Sequence, residues 1–509
     1  MGTTATPPSA GHAAGWKWWT LVAVCIATLM LLLDVTIVNV ALPDISRELG
    51  SSFADLQWVI DAYALGLAAL LLTWGAIADQ IGRKRVFIVG LAAFTNASLL
   101  CAAAPTPLWL NIARGLQGMG GAAMFATALA LLAAAYDGPD RSTAIGLWGA
   151  TIGAGVAVGP LLGGVLIELA SWHWIFLVNL PIGLAALALT VRFVPESRNP
   201  AGRGIDLPGA ASFSIALFLL IFGIVRGNAE GWGSMLIVGC FAGAALLLLV
   251  FLAVQLRSPK AMFDLSLFRN RSFVGVSFAA FTLSAAMFAL FLYLTLWIQN
   301  GLGYAPLEAG LRFLPSTLLS FVVAPLSGKL GARVAPSVML GSGLALVGAG
   351  LLLMRGVDGS SDWTALLPGL VVSGVGIGVT NPTLASIAVG VVDVRRSGMA
   401  SGINNTFRQV GIAVGTAVWG AWMASLVSGS LREQVTADAG AAAAARLPGG
   451  DALIQAPPQL IAQLPGGPNG YLRAYTDGLD TIFLCAALLA FVAAALAFVL
   501  VRRRDFVVQ

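Results

Sequence analysis

Long apolar runs recur fourteen times along this chain, and about 20 apolar residues in a row is what an α-helix needs to cross a bilayer. The runs fall at 17–41, 54–77, 85–104, 108–135, 143–168, 173–194, 208–226, 234–256, 273–298, 307–329, 336–355, 364–391, 403–427 and 477–501. Those at 208–226 and 234–256 are shorter and interrupted by Gly, and they decide between twelve and fourteen crossings. Charged residues make up 10% of the chain, against about 25% in soluble proteins. A surface so poor in charge would not stay in solution, so the sequence reads as an all-α integral membrane protein. The first run is too long for a cleaved signal peptide and carries Asp34 and Asn39 inside it. Residues 1–16, rich in Thr, Pro, Ala and Gly, read as a disordered tail on the cytoplasmic side.

Lys and Arg stay on the cytoplasmic side of a membrane protein. With the N-terminus inside, 19 of the 28 basic residues fall in cytoplasmic segments and six in outer loops. An odd number of crossings would place Arg502, Arg503 and Arg504 outside, so both ends are expected in the cytoplasm. That topology explains the net charge of +5 without any nucleic-acid partner. Segment 428–476, rich in Ala, Pro and Gly, reads as a long extracellular loop with an irregular cap.

Several chemistries are absent. The lone Gly328–Lys329 pair is followed by Leu330, so no phosphate-binding loop exists, and no Gly-x-Gly-x-x-Gly occurs. His12 and His173 are the only imidazoles, and Cys25, Cys101, Cys240 and Cys485 lack ligand spacing. No cofactor, metal, nucleotide or enzymatic activity is expected, so uphill transport would draw on an ion gradient.

The connections between the runs carry a resemblance. GAIADQIGRKRVF (Gly75 to Phe87) resembles the signature loop of the major facilitator superfamily, and LNIARGLQGMGGA (Leu110 to Ala122) resembles its Arg-x-x-Gln-Gly motif. GAGVAVGPLLGG (Gly153 to Gly164) is similar to the motif of its antiporters. LDVTIVNVALP (Leu33 to Pro43) and WHWIFLVNLPIG (Trp172 to Gly183) resemble motifs of the fourteen-spanner drug:proton antiporters, with His173 where Arg is usual. In the second half the likeness is looser, through Phe313 to Pro315 and Ser397 to Gly411, and SGKLGAR (Ser327 to Arg333) lacks the Asp of the first loop. The resemblance implies the major facilitator fold: a six-helix half over 17–200, two inserted helices over 201–260, and a second six-helix half over 261–509.

Ionisable groups within the bilayer are expensive and point to function. Asp34, Asp61 and Arg114 lie at a shared depth, about 9–11 Å below the outer face at 1.5 Å per residue, which makes them candidates for a proton-coupling cluster. The bland alternatives are a fixed ion pair for Asp34 and a merely solvated Asp61. Gly155, Gly159 and Pro160 put small residues on one helix face; the resemblance implies that this face packs on the second half, and a plain packing seam is equally physical. Asp79, Gly82 and Arg83 form the loop for which the resemblance implies a latch, with Asp79 at the positive N-terminal end of the thirteenth span near Asn404 and Arg408. Asn39, Trp58, Tyr63, Gln117, Tyr293, Trp297, Asn381 and Phe407 are the candidates, by depth, for lining a substrate cavity.

The expected function is proton-coupled efflux of an amphipathic drug or antibiotic across the bacterial plasma membrane, by a monomer whose partners are protons, the small molecule and the lipid bilayer. Export of an endogenous lipid or metabolite is one alternative, and a non-transporting receptor or scaffold is another.

Overall fold

The computed structural model describes residues 10–51, 53–198, 206–258, 265–331, 333–393, 396–454, 456, 458–464 and 467–506. Of the expected disordered tail over 1–16, residues 1–9 lie outside the described residues, as do the side chains of Asn39 and Pro160, whereas residues 10–16 are helical and open the first helix. The long helices are α1 (Ala10–Leu49), α2 (Phe53–Ile81), α3 (Arg83–Ala102), α4 (Pro107–Ala135), α5 (Gly138–Leu169), α6 (Trp174–Phe193), α7 (Leu207–Glu230) and α8 (Met235–Arg257). They continue with α9 (Arg271–Gly301), α10 (Leu314–Gly331), α11 (Pro336–Leu353), α12 (Leu367–Gly390), α13 (Ser397–Ala439) and α14 (Gly467–Leu500). Among the described residues, twelve helices are long and apolar enough to cross a membrane; α5 and α10 are not among them, so the expected count of fourteen crossings is not reached.

Local chemistry sets many of the helix ends. Thr106 accepts a hydrogen bond from the Trp109 N–H at 3.3 Å, with Pro107 in the first turn. Asp206 does the same for Gly209 at 3.0 Å, and Asn270 for Ser272 at 2.9 Å. Each side chain satisfies a backbone donor that the helix leaves unpaired. Gly231, at φ +87°, ends α7 in a conformation that favours Gly.

Packing repeats between the halves. In the first, α1 packs on α5 and α6, α2 on α4, and α3 on α4 and α6; in the second, α9 packs on α13 and α14, α10 on α12, and α11 on α12 and α14. The contacts between halves obey the same exchange, α2 against α13 and α5 against α10. A parallel repeat of six helices has this pattern. Helices α7 and α8 stand apart as a hairpin. Leu217 and Ile221 of α7 cluster with Leu65 and Ala68 of α2 and with Val410 and Ala413 of α13, whereas α8 exposes Met235, Leu246, Leu249 and Leu256. An apolar surface of that kind suits lipid.

Two expectations about the long loop are corrected. Helix α13 runs on to Ala439 and α14 starts at Gly467, so residues 428–439 and 467–476 are helical. Between them stand short helices at Ala441–Ala444, Gly450–Ile454 and Pro458–Gln463, with Leu453, Ile454 and Ile461 buried. Pro458 starts one of these short helices and Pro468 sits in the first turn of α14, because Pro is tolerated there.

The seam between α3 and α4 depends on glycine. A Cβ on Gly120 would stand 2.6 Å from the Phe94 nitrogen and 3.0 Å from the Gly90 oxygen, whereas one on Gly239 in α8 would meet nothing within 4 Å. Gly120→Ala is therefore expected to lower the thermal unfolding temperature in detergent, at a cost of about 1–3 kcal/mol. Gly239→Ala should leave it level or raise it, since Ala is the better helix former by about 1 kcal/mol.

Candidate functional site

The centre of the first half holds a hydrogen-bonded cluster around one carboxylate. Asp34 Oδ2 accepts from Arg114 Nη1 at 2.6 Å, and Oδ1 accepts from Gln117 Nε2 at 2.7 Å and Asn179 Nδ2 at 2.9 Å. Ser98 Oγ accepts from Gln117 at 2.8 Å and from Asn179 at 3.3 Å. Arg114 Nε donates to the Val59 carbonyl at 3.0 Å, and the guanidinium lies 4.3 Å from the centre of the Tyr63 ring. Helices α1, α2, α3, α4 and α6 thus each contribute a group. Asp34 is 1% exposed and Arg114 2%.

Two charges removed from water lose several kcal/mol of hydration each, which mutual attraction offsets only with good geometry and further hydrogen bonds. Here the carboxylate has three donors and the guanidinium a carboxylate, an amide oxygen, a carbonyl and an aromatic face. Arg114 and Gln117 are three residues apart on α4 and so project from the same face. Sequence reasoning placed Gln117 on a cavity wall; the structure corrects this, because its amide is committed at both ends to this cluster. Asn179 and Ser98 were missed. Asn179 is a polar residue in an apolar run, which was a usable signal. Ser98 gave none, since its hydroxyl also bonds the Phe94 carbonyl four residues back, as helical Ser commonly does.

Asp61 is not among the groups that bond Asp34 or Arg114. Its Oδ2 is buried without a hydrogen-bond partner among the described residues, and the charged group acting on it is Arg226 of α7. Shared depth was legible, but the direction each side chain takes around its helix was not.

At the end of the bundle where α2 turns into α3, Asp79 joins the halves. Its Oδ1 accepts from the Gly398 N–H at 3.1 Å and its Oδ2 from the Met399 N–H at 2.9 Å, in the first turn of α13. Arg83 donates to Oδ1 through Nε at 3.0 Å and Nη2 at 2.9 Å, itself 2% exposed. The carboxylate therefore meets the positive end of a helix. That end is Ser397, earlier than the span begins by hydropathy, so Asn404 and Arg408 lie further along α13, both buried. Gly82 makes the turn at φ +124°, and a Cβ there would stand 2.6 Å from the Glu196 carboxylate. Glu196 in turn accepts from the N–H groups of Lys84 at 3.1 Å and Arg85 at 3.3 Å, capping α3.

The glycine face of α5 packs differently from what the resemblance implied. Gly155 faces Leu32, Gly159 faces Thr36 and Gly163 faces Ile37, all on α1 of the same half. Thr36 Oγ1 also donates to the Gly155 carbonyl at 3.4 Å. Nearer the start of α5, Gly146 meets Ala324 of α10 and Gly149 meets Pro382 of α12, both in the second half.

The cavity candidates do not converge. The Trp58 ring meets Phe222 of α7 tilted, at 5.8 Å between centres, and Phe407 meets Phe268 at 6.4 Å. Tyr63 lies under Arg114. Tyr293 and Trp297 are in the core of the second half, with the Tyr293 hydroxyl on the Thr416 carbonyl at 2.6 Å. Asn381 is buried in α12 beside Pro382, its Oδ1 without a partner among the described residues. Depth alone chose these residues, and depth does not distinguish a cavity wall from a helix contact.

Residues 24–416 match the sequence profile of the Major Facilitator Superfamily. The chain is 36% identical over 413 residues to the multidrug resistance protein Stp of Mycobacterium tuberculosis, covering 81% of this chain and 77% of that one. It is 31% identical over 507 residues to the tetracenomycin C resistance and export protein of Streptomyces glaucescens, covering 97% and 93%. The fold is similar to that of the proton:xylose symporter XylE, with a TM-score of 0.60 and 11% identity over 93% of this chain and 95% of that one.

Two outcomes follow from the geometry. Asp34→Leu or Arg114→Met alone leaves a buried charge unpaired and should lower stability by about 3–5 kcal/mol, whereas the double substitution should be less damaging than either. Thermal unfolding of the three variants in detergent checks this. Asp79→Asn removes a charge worth about 0.3–2 kcal/mol at a helix N-terminus, so cross-linking between cysteines placed in α2 and α13 near this turn should weaken while insertion is kept.

Proposed function

The chain belongs to the major facilitator superfamily, and within it we propose that this protein is an exporter of amphipathic drugs or antibiotics, driven by proton entry across the bacterial plasma membrane. The observation that carries the reading is the Asp34 cluster: an ionisable carboxylate buried in a spanning helix, which is rarely kept there without a task. The names of the relatives supply the direction and class of cargo. Protonation of Asp34 removes its attraction for Arg114, so the loaded and unloaded states hold α1, α4 and α6 differently. Binding of the amphiphile and release of the proton then compete for the same half of the molecule. Rocking between the halves breaks the Asp79 contact with α13 in one direction and remakes it in the other.

The same reading takes α5 and α10 as crossings, giving fourteen, with both termini cytoplasmic. Helix α5 has 32 residues and α10 has 18, and each occupies a place in the repeat whose counterpart, α13 or α2, spans. The domain division at 17–200, 201–260 and 261–509 follows from that repeat, with α7 and α8 as the insert.

Inverted vesicles energised by a proton gradient test the function. The wild type should accumulate a fluorescent amphiphilic cation, and dissipating the gradient should abolish this. Asp34→Asn cannot change charge; it should bind the dye but lose uphill accumulation by at least tenfold. Accumulation equal to wild type removes Asp34 from the proton path. For topology, reporters fused to the two termini should fall on one side and a reporter after Gly231 on the other.

A further inference from the structure

Arg226 and Asp61 are charges of opposite sign on helices that belong to different parts of the repeat. Asp61 lies on α2 three residues beyond Trp58, and so on nearly the same face. Phe222 and Arg226, one turn apart on α7, both cover Trp58: the Phe222 ring at 5.8 Å and the Arg226 guanidinium at 5.6 Å. Cation–ring contacts of this kind hold an Arg in place. Arg226 also donates to Glu230 Oε1 at 2.7 Å, and Glu230 is the more exposed partner, at 39% against 12% for their side chains. Arg226 thus lies between Glu230 at the rim, to which it donates, and the face of α2 that carries Trp58 and Asp61; Asp61 Oδ2 is buried without a hydrogen-bond partner among the described residues. Among the described hydrophobic residues packed here, α13 contributes Val410 and Ala413, and α8 contributes Phe241, which packs on Gly223 of α7; from α4 the charged group turned towards α2 is Arg114, bonded to the Val59 carbonyl and to Asp34. At the other end of α7, Ser214 and Thr73 are 2.8 Å apart.

We propose that Arg226 is a positioning residue for coupled transport, the counter-charge through which the inserted helix α7 responds to the proton on Asp61. With Asp61 ionised, Arg226 is drawn inward and the upper turns of α7 close on α2. With Asp61 protonated, that attraction is gone and Arg226 keeps Glu230 and the Trp58 face, freeing α7 to part from α2 while the Ser214–Thr73 contact acts as its pivot. The inserted hairpin then takes part in the cycle as a moving wall beside the α2–α13 seam. This rests on the proton-driven export proposed above.

The experiment uses the full-length protein in inverted vesicles with the same fluorescent cation, comparing wild type, Arg226→Gln, Arg226→Lys, Asp61→Asn and the Arg226→Gln/Asp61→Asn double variant. Gradient-driven accumulation should fall three- to tenfold in Arg226→Gln and stay within twofold of wild type in Arg226→Lys. In the Asp61→Asn background, Arg226→Gln should cause no further loss. Arg226→Gln at wild-type level, or independent losses that multiply in the double variant, would overturn the proposal. If Arg226→Gln fails to insert, the reversed pair Asp61→Arg/Arg226→Glu decides: recovery of insertion and accumulation over either reversed single supports the pairing, and no recovery overturns it. A wild type that shows no gradient-driven accumulation at all defeats the export reading itself, which these comparisons with wild type keep separate.

Discussion

A carboxylate and a guanidinium removed from water must satisfy each other or the fold loses several kcal/mol. The Asp34–Arg114 pair imposes that condition on the first half. Meeting it requires Gln117 on the same helix, Asn179 from α6, Ser98 from α3 and a carbonyl from α2, so five helices are fixed around one charge pair. Dispersion packing holds the rest of the half, but it is non-directional and would accept several rotations of each helix. Hydrogen bonds to a buried charge would not. The same cluster also makes protonation consequential, because neutralising Asp34 leaves Arg114 charged and partly unmatched.

The two halves share a packing pattern but not a polar seam. Between α2 and α13, Asp79 bonds the helix end at Gly398 and Met399 and is held by Arg83. In the repeat-related seam, α10 against α5, Ser327 bonds the Gly378 carbonyl within its own half, and Gly146 lets the backbones approach near Ala324. The first seam thus carries a charged contact, and the second a close approach at small residues. Glu196 repeats the helix-end chemistry on α3, tying the exit of α6 to the turn that carries Gly82 and Arg83.

Most of the long helices were legible because a bilayer demands long apolar runs, twelve of those described being long and apolar enough to cross, and boundary residues such as Asp206 and Asn270 declare themselves. The contact of Asp79 with the N-terminal end of α13 was legible too, through its loop. What the sequence hid was angular. Asp34, Asp61 and Arg114 share a depth, yet Asp61 faces α7 instead of the cluster. Gly155 and Gly159 do form a close-packing face, but nothing in their spacing says that the neighbour is α1. Depth chose Trp58 and Phe407 for a cavity wall but does not say that their ring neighbours are Phe222 and Phe268. Segment 428–476 concealed helix in part because Pro458 and Pro468 stand in first turns, where Pro is tolerated.

The central claim is that Asp34 exchanges a proton for the exported molecule. Purified protein in weakly buffered detergent solution, mixed with a saturating amphiphilic substrate while pH is recorded, tests this directly. The account predicts that wild type releases protons on binding and that Asp34→Asn binds the same compound and releases markedly fewer. Equal release by Asp34→Asn and wild type, at equal occupancy, would contradict it.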